Sequence, residues 1–166
     1  VFGRVGAQLG PVRTGVFAAG GHNAAVGDSR VIGLDVSGNN GQLFWFAQLL
    51  QTRWSRVMDP VTPTTQVAAD ATWHAGFAGL DYVYNDRWAY SLLYNYGDAG
   101  DLFDTATDYR GIEMSSLTLA ASHYFMRNLK GVVEVNADLL AADSVRDGIG
   151  HDTREGYVLM GFDLAF

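Results

Sequence analysis

Hydrophobic and polar positions alternate with a period of two along most of this chain, the spacing of a β-strand whose two faces meet different surroundings. The alternation is cleanest over residues 87–96, where Trp88, Tyr90, Leu92, Tyr94 and Tyr96 share one face and Ala89, Ser91, Leu93 and Asn95 the other. Residues 30–37 set Ile32, Leu34 and Val36 against Val31, Gly33 and Asp35, and residues 71–85 set Leu80, Tyr82 and Tyr84 against Asp81. In 115–127, Leu117, Leu119 and Ala121 oppose Ser116, Thr118 and Ser122; in 131–142, Val133, Val135, Ala137 and Leu139 oppose Glu134, Asn136 and Asp138. The last segment, 155–166, carries Val158, Met160, Phe162, Leu164 and Phe166 on one face and Asp163 on the other. Residues 42–54 (QLFWFAQLLQTRW) have the poorest periodicity; a helix competes there, and the neighbouring strands favour a strand with Gln48 on its polar side. Residues 1–9 and 12–19 are weaker strand candidates separated by Gly10-Pro11.

The connections predicted between these segments are of two kinds. Short ones fall at 38–41, 85–86 and 127–130, and long polar ones at 20–29, 55–70, 97–111 and 143–154. Counting back from Phe166, every short turn falls at the same end of the strands as the C-terminus. Alternating short turns and long loops is the grammar of an antiparallel up-and-down transmembrane β-barrel.

Composition agrees with that architecture. Only 17% of the 166 residues are charged, against about 25% in an ordinary globular chain, while 13% are aromatic and 20 are glycine. No run of 18 or more apolar residues exists, which removes a transmembrane helix. There is no cysteine, hence no disulfide, no thiolate metal site and no covalent haem attachment. A net charge of −7 argues against nucleic acid as a partner.

The closing residues EGYVLMGFDLAF, ending on an aromatic with Leu164 and Phe162 alternating back from Phe166, resemble the C-terminal signature of Gram-negative outer-membrane β-barrels. The resemblance implies a location in the bacterial outer membrane, a lipid bilayer around the barrel, and Phe166, Leu164 and Phe162 as the signal that the barrel assembly machinery reads. It further implies a porin-like channel for passive diffusion of small solutes or ions. The run YFMRNLKG at 124–131, followed by VVEVNADLL, also resembles the closing hairpin of barrels that sheath multihaem c-type cytochromes. That likeness implies the alternative function, a sheath around a lumen-filling or co-assembling protein. About nine strands are readable, and outer-membrane barrels of one chain normally have an even number. Two readings stay open: a small eight-stranded barrel whose first candidate strand is spurious, or the C-terminal eight or nine strands of a larger one. The strand-like start VFGRVGAQLG fits a mature N-terminus and an internal position equally.

In such a barrel the apolar faces turn to lipid. The residues left to line the lumen are Asp35, Gln48, Asp81, Ser91, Asn95, Thr118, Ser122, Glu134, Asn136, Asp138 and Asp163, five of them acidic and none basic. Buried carboxylates need water or cations beside them. A wet lumen with this lining prefers cations; alternatively Arg4 and Arg13 pair with the acids. Aromatics gather near one short turn (Tyr82, Tyr84, Trp88, Tyr90) and at the same level in Tyr124, Phe125 and Phe166, as an interfacial girdle would.

Little points to catalysis or to a cofactor. His22, His74, His123 and His151 show no metal-ligand spacing, and no nucleophile-elbow or phosphate-loop motif occurs. Asp98, Asp101, Asp104 and Asp108 cluster in the loop 97–111, a donor set suited to a hard cation but without EF-hand spacing. A solvated acidic loop accounts for them as well. The expectation is a non-enzyme that needs no cofactor.

Overall fold

The computed structural model describes residues 1–23, 26–58, 62, 64–98, 114–139 and 156–164. Nine strands form one sheet in sequence order: β1 (Phe2–Leu9), β2 (Val12–Asn23), β3 (Gly27–Asn39), β4 (Leu43–Met58), β5 (Gln66–Val83), β6 (Trp88–Asp98), β7 (Met114–Met126), β8 (Leu129–Asp138) and β9 (Tyr157–Leu164). Every neighbouring pair is antiparallel. β1 and β9 are the sheet's two edges, and they do not pair with each other among the described residues.

Turn chemistry explains the tight connections. Gly10, at φ 62°, supplies the left-handed first position that a two-residue hairpin needs, and Pro11 fixes the second. Between β3 and β4 the side chains of Asn39 and Asn40 accept hydrogen bonds from the backbone N–H groups of Gly41 (2.6 Å) and Leu43 (3.0 Å). Between β5 and β6 the Asn85 carbonyl oxygen accepts from the N–H groups of Arg87 and Trp88, each at 2.9 Å. These Asx-type bonds satisfy backbone donors that the ladder leaves open.

The register is regular across the sheet apart from shifts at Val57/Met58 and Tyr124/Met126. One row of side chains reads Val12, Gly38, Trp45, Leu80, Leu92, Leu119, Val135 and Val158, each directly opposite the next. The first tight turn closes at this row, with Leu9 opposite Val12. Toward β9 the turns lie progressively further along: Leu43 opposite Tyr82, then Trp88 opposite His123, then Leu129 opposite Leu164. Such a steady stagger is what strands tilted against a barrel axis require.

Two readings left open by the sequence are settled, and two loop expectations are corrected. The segment 42–54 forms a strand from Leu43 on, as its neighbours favoured, and Phe44 to Trp54 are each paired on both sides, by β3 and β5. Residues 1–9 are no spurious candidate: β1 pairs with β2 over eight residues, so the sheet has nine strands rather than eight. The strands run further into the expected long loops at 20–29 and 55–70: β2–β3 pairing continues through the turn-like Gly20, Gly21, His22 and Asn23, and β4–β5 pairing through Arg56, Val57 and Met58 with Ala69, Ala68 and Gln66. Gly97 and Asp98 likewise belong to β6; the rest of the expected 97–111 loop and all of 143–154 lie outside the described residues.

The sheet has almost no conventional core. Among the described residues the buried apolar side chains are Val57 and Ala71, packed by Trp54, Ala68 and Trp73 near the ends of β4 and β5. The Trp54 and Trp73 rings meet edge-on, centroids 4.0 Å apart.

Candidate functional site

Because directly opposed residues share a face, the register sorts every side chain. Asp35 faces Gln48, Gln48 faces Phe77, Phe77 faces Asn95, Asn95 faces Ser116, and Ser116 faces Asp138. Asp81 faces Ser91, Thr118 faces Asn136, Ala120 faces Glu134, and Lys130 faces Asp163. All eleven residues expected to line a lumen therefore lie on one face of the sheet.

That face carries the polar groups, beside the rings of Phe17, Phe44, Phe46 and Phe77, and is internally hydrogen-bonded. Ser91 donates to Asp81 Oδ1 (2.7 Å), Asn136 Nδ2 donates to Thr118 Oγ1 (2.8 Å), Asn95 Nδ2 reaches Ser116 Oγ (3.5 Å), and the Tyr157 hydroxyl donates to Glu134 Oε1 (2.7 Å). Two carboxylates are held by cations. Arg4 reaches Asp35 through Nε (3.0 Å) and Nη2 (2.5 Å), and Lys130 Nζ lies 2.8 Å from Asp163 Oδ2. The expectation of a face without basic residues thus fails at Lys130, Arg4 and Arg13. Lys130 reads as part of a turn in the sequence but occupies the second position of β8. The suggested pairing through Arg4 is present, at Asp35; Arg13 stands opposite Ser37, two residues from Gly15, the partner of Asp35.

The opposite face is apolar and faces outward. Leu34 is 54% exposed, Leu49 57%, Leu119 53% and Phe162 75%, whereas the polar-face Thr52 is 6% exposed. A water-soluble sheet has the reverse arrangement, since exposed apolar area costs about 25 cal/mol per Å². A contiguous apolar surface of this extent marks a membrane or a partner interface. From Tyr96 to Trp88 this surface extends nine residues along β6, within the roughly 9–11 residues of a tilted membrane-crossing strand.

At the end with the tight turns, rings form a continuous chain along the apolar surface. Tyr82 is opposite Tyr90; Trp88 stacks on Tyr90 (6.1 Å, 7°) and packs on His123 (4.4 Å); His123 meets Phe125 (4.7 Å), which meets Phe162 (6.1 Å). This is the placement of an interfacial aromatic girdle. Sequence reading found its Tyr and Trp members and missed His123, which completes the contact between β6 and β7.

Phe162 and Leu164 of the expected assembly signal lie on the apolar face, opposite Gly131 and Leu129; Phe166 lies outside the described residues. Of the acidic loop candidates only Asp98 is described. It ends β6 opposite His74 and accepts a hydrogen bond from the Tyr96 hydroxyl (3.3 Å); Asp101, Asp104 and Asp108 lie outside the described residues. Among the described residues no three His, Asp or Glu side chains converge as metal ligands.

No protein-family model matches the chain, and no curated protein sequence does. Solved structures do. The NanC porin aligns with a TM-score of 0.59 at 11% identity, over 99% of this chain and 78% of that one. The toluene transporter TodX of P. putida aligns at 0.41 with 16% identity, over 99% of this chain and 59% of its own. With its nine up-and-down antiparallel strands and the likeness to the NanC porin, the chain has the fold of a porin-like outer-membrane β-barrel.

Proposed function

We propose that this chain crosses the bacterial outer membrane and forms the wall of a water-filled channel for passive diffusion of small solutes or ions, acting as a conduit and not as a catalyst. The observation that carries the reading is the inversion of its faces: apolar side chains outward and exposed, polar side chains inward and hydrogen-bonded. Asp35, Gln48, Asp81, Asn95, Glu134, Asn136, Asp138 and Asp163 line the lumen in this reading. Cations are preferred because Asp81 and Glu134 have hydroxyl partners, and no cation pairs with either among the described residues. Asp35 and Asp163 are already neutralised by Arg4 and Lys130. The apolar residues Phe162 and Leu164 of β9, with Phe166 two positions on in the sequence, serve the barrel assembly machinery as the recognition signal.

Planar bilayers test the reading. The full-length protein, shown to be folded by heat-modifiable gel migration, is expected to give step conductances and, in a KCl gradient, a reversal potential of cationic sign. A folded monomer that dissolves without detergent overturns it. Silence that gives way to conductance once a co-purifying protein is stripped off transfers the function to the sheath alternative.

A further inference from the structure

The apolar surface ends, at the side away from the tight turns, in a charged cleft. Arg30 on β3 and Arg53 on β4 stand directly opposite one another on the outward face. With Asp28, Ser55 and Asp70 they line a hollow of about 200 Å³. Like charges directly opposed on a sheet destabilise it unless an anion sits with them. The carboxylates nearby are already engaged: Asp70 Oδ1 accepts from Arg53 Nη2 (3.1 Å), and Asp28 Oδ1 lies 3.0 Å from His22 Nδ1. Arg30 has no carboxylate partner among the described residues. Each guanidinium offers five N–H donors, so both arginines bring further donors to the cleft they line.

Directly beneath the arginines lies a second feature of opposite character. A groove of about 360 Å³ runs between Ile32, Leu34, Leu49 and Tyr96, one residue pair further into the apolar surface. Ile32 faces Gln51 and Leu34 faces Leu49, so the order along the strands is a guanidinium pair, one mixed pair, then an aliphatic pair. Charge above and grease below, on a surface turned to lipid, is the complement of one amphiphile in one orientation.

We infer that Arg30 and Arg53 bind the phosphate of an anionic membrane lipid, one of whose acyl chains lies in the groove of Ile32, Leu34 and Leu49. The inference rests on the membrane reading above. Charge-assisted guanidinium–phosphate hydrogen bonds fix the headgroup, and the groove distinguishes the lipid from free phosphate. The cleft is on the outward face and takes no part in the polar lining, so the bound lipid is a structural ligand and not a permeant.

Native mass spectrometry of the delipidated full-length protein in non-ionic detergent tests this. The ligands are diphosphorylated lipid A, the same lipid with its phosphates removed, and inorganic phosphate. One lipid A per chain is expected, with affinity reduced at least about tenfold in the double variant Arg30→Gln, Arg53→Gln. Leu49→Trp, which fills the groove and leaves both arginines in place, is expected to weaken the lipid too. Heat-modifiable migration shows that each variant is folded. Equal binding of dephosphorylated lipid, binding by the double variant within twofold of the parent, or capture of inorganic phosphate as tight as that of lipid overturns the lipid site, and porin-like conductance then still stands. A protein that folds without detergent overturns both readings.

Discussion

Arg4 on β1 holds Asp35 on β3 across the whole width of β2. The strand between them permits it because Gly15, opposite both Gly6 and Asp35, has no side chain. A Cβ at Gly15 would lie 2.6 Å from Arg4 Cζ, inside the space the guanidinium occupies. A Cβ at Gly6 would lie 3.0 Å from Arg4 Nη1, so the two glycines form the bed on which the side chain lies. Gly15→Val is therefore expected to separate Arg4 from Asp35 without unfolding the sheet, since the obstructed group is the end of a flexible side chain. In a KCl gradient Arg4→Gln, which deletes a positive charge, is expected to shift the reversal potential toward stronger cation preference, and Gly15→Val, which separates the pair but keeps both charges, to shift it less. A Gly15→Val channel indistinguishable from the parent, beside an Arg4→Gln channel that has shifted, would separate the glycine from the ion pair.

Four carboxylates on the polar face divide into two pairs with opposite expected effects. Asp35 and Asp163 are paired with the cations Arg4 and Lys130, whereas Asp81 and Glu134 receive hydrogen bonds from the neutral hydroxyls of Ser91 and Tyr157. Neutralising Glu134 and Asp81 together, as Glu134→Gln with Asp81→Asn, is expected to lower the cation-to-anion permeability ratio severalfold. Lys130→Gln is expected to raise it by exposing Asp163. The ratio comes from reversal potentials at fixed salt gradient, because screening beyond about 10 Å at 0.1 M dilutes the difference as salt rises. Equal ratios in all three proteins would mean that these groups do not face the permeation path.

The inversion of faces gives a sharper mechanical test at two adjacent residues. Leu119 projects outward at mid-surface, and Thr118 projects to the polar side, where Asn136 donates to it. Leu119→Arg is expected to destabilise the folded protein in lipid vesicles by about 2–4 kcal/mol, the cost of an arginine at the bilayer midplane. Thr118→Arg, on the wet side, is expected to cost about 1 kcal/mol or less, as surface substitutions do. Denaturant unfolding in vesicles measures both. A soluble sheet would rank the two in reverse order.

Much of this was legible in the sequence, and the failures have physical causes. Period-two alternation located seven strands from 30 onward, and it placed all eleven polar positions on one face, because one-sided burial forces register. The ends of β2, β3, β4 and β5 were misread as loops: Gly20, Gly21, His22 and Asn23 look like turn residues, yet each pairs across to β3. At that end the strand carries no apolar stripe, so backbone pairing and polar contacts such as His22 with Asp28 hold it. Lys130 was lost for a related reason. A residue two places from a turn carries no periodic signal, so its pairing with Asp163 becomes visible only once β8 and β9 are in register. The Arg30–Arg53 cleft had no local signature at all, since its two arginines are 23 positions apart and meet only through the β3–β4 ladder.

The aromatic chain at the tight-turn end supports a final prediction. Trp88 is its hub, stacked on Tyr90 and packed on His123, and through His123 and Phe125 it is linked to Phe162 on the edge strand. Aromatic pairs contribute about 0.5–1.5 kcal/mol beyond area burial, so Trp88→Ala, which breaks two ring contacts, is expected to cost roughly 1–3 kcal/mol in vesicle unfolding. Trp88→Phe preserves a ring against Tyr90 and His123 and is expected to recover about half of that, while lacking the indole N–H that anchors at the headgroup level. The distinguishing readout is depth. In a protein whose other tryptophans, Trp45, Trp54 and Trp73, are replaced by Phe, Trp88 fluorescence is expected to be quenched more by lipids brominated near the headgroup than by lipids brominated near the chain end. Quenching that is strongest at the chain end would place Trp88 in the hydrocarbon interior and remove the girdle; full quenching by aqueous iodide, with none by brominated lipid, would take this end of the sheet out of the membrane.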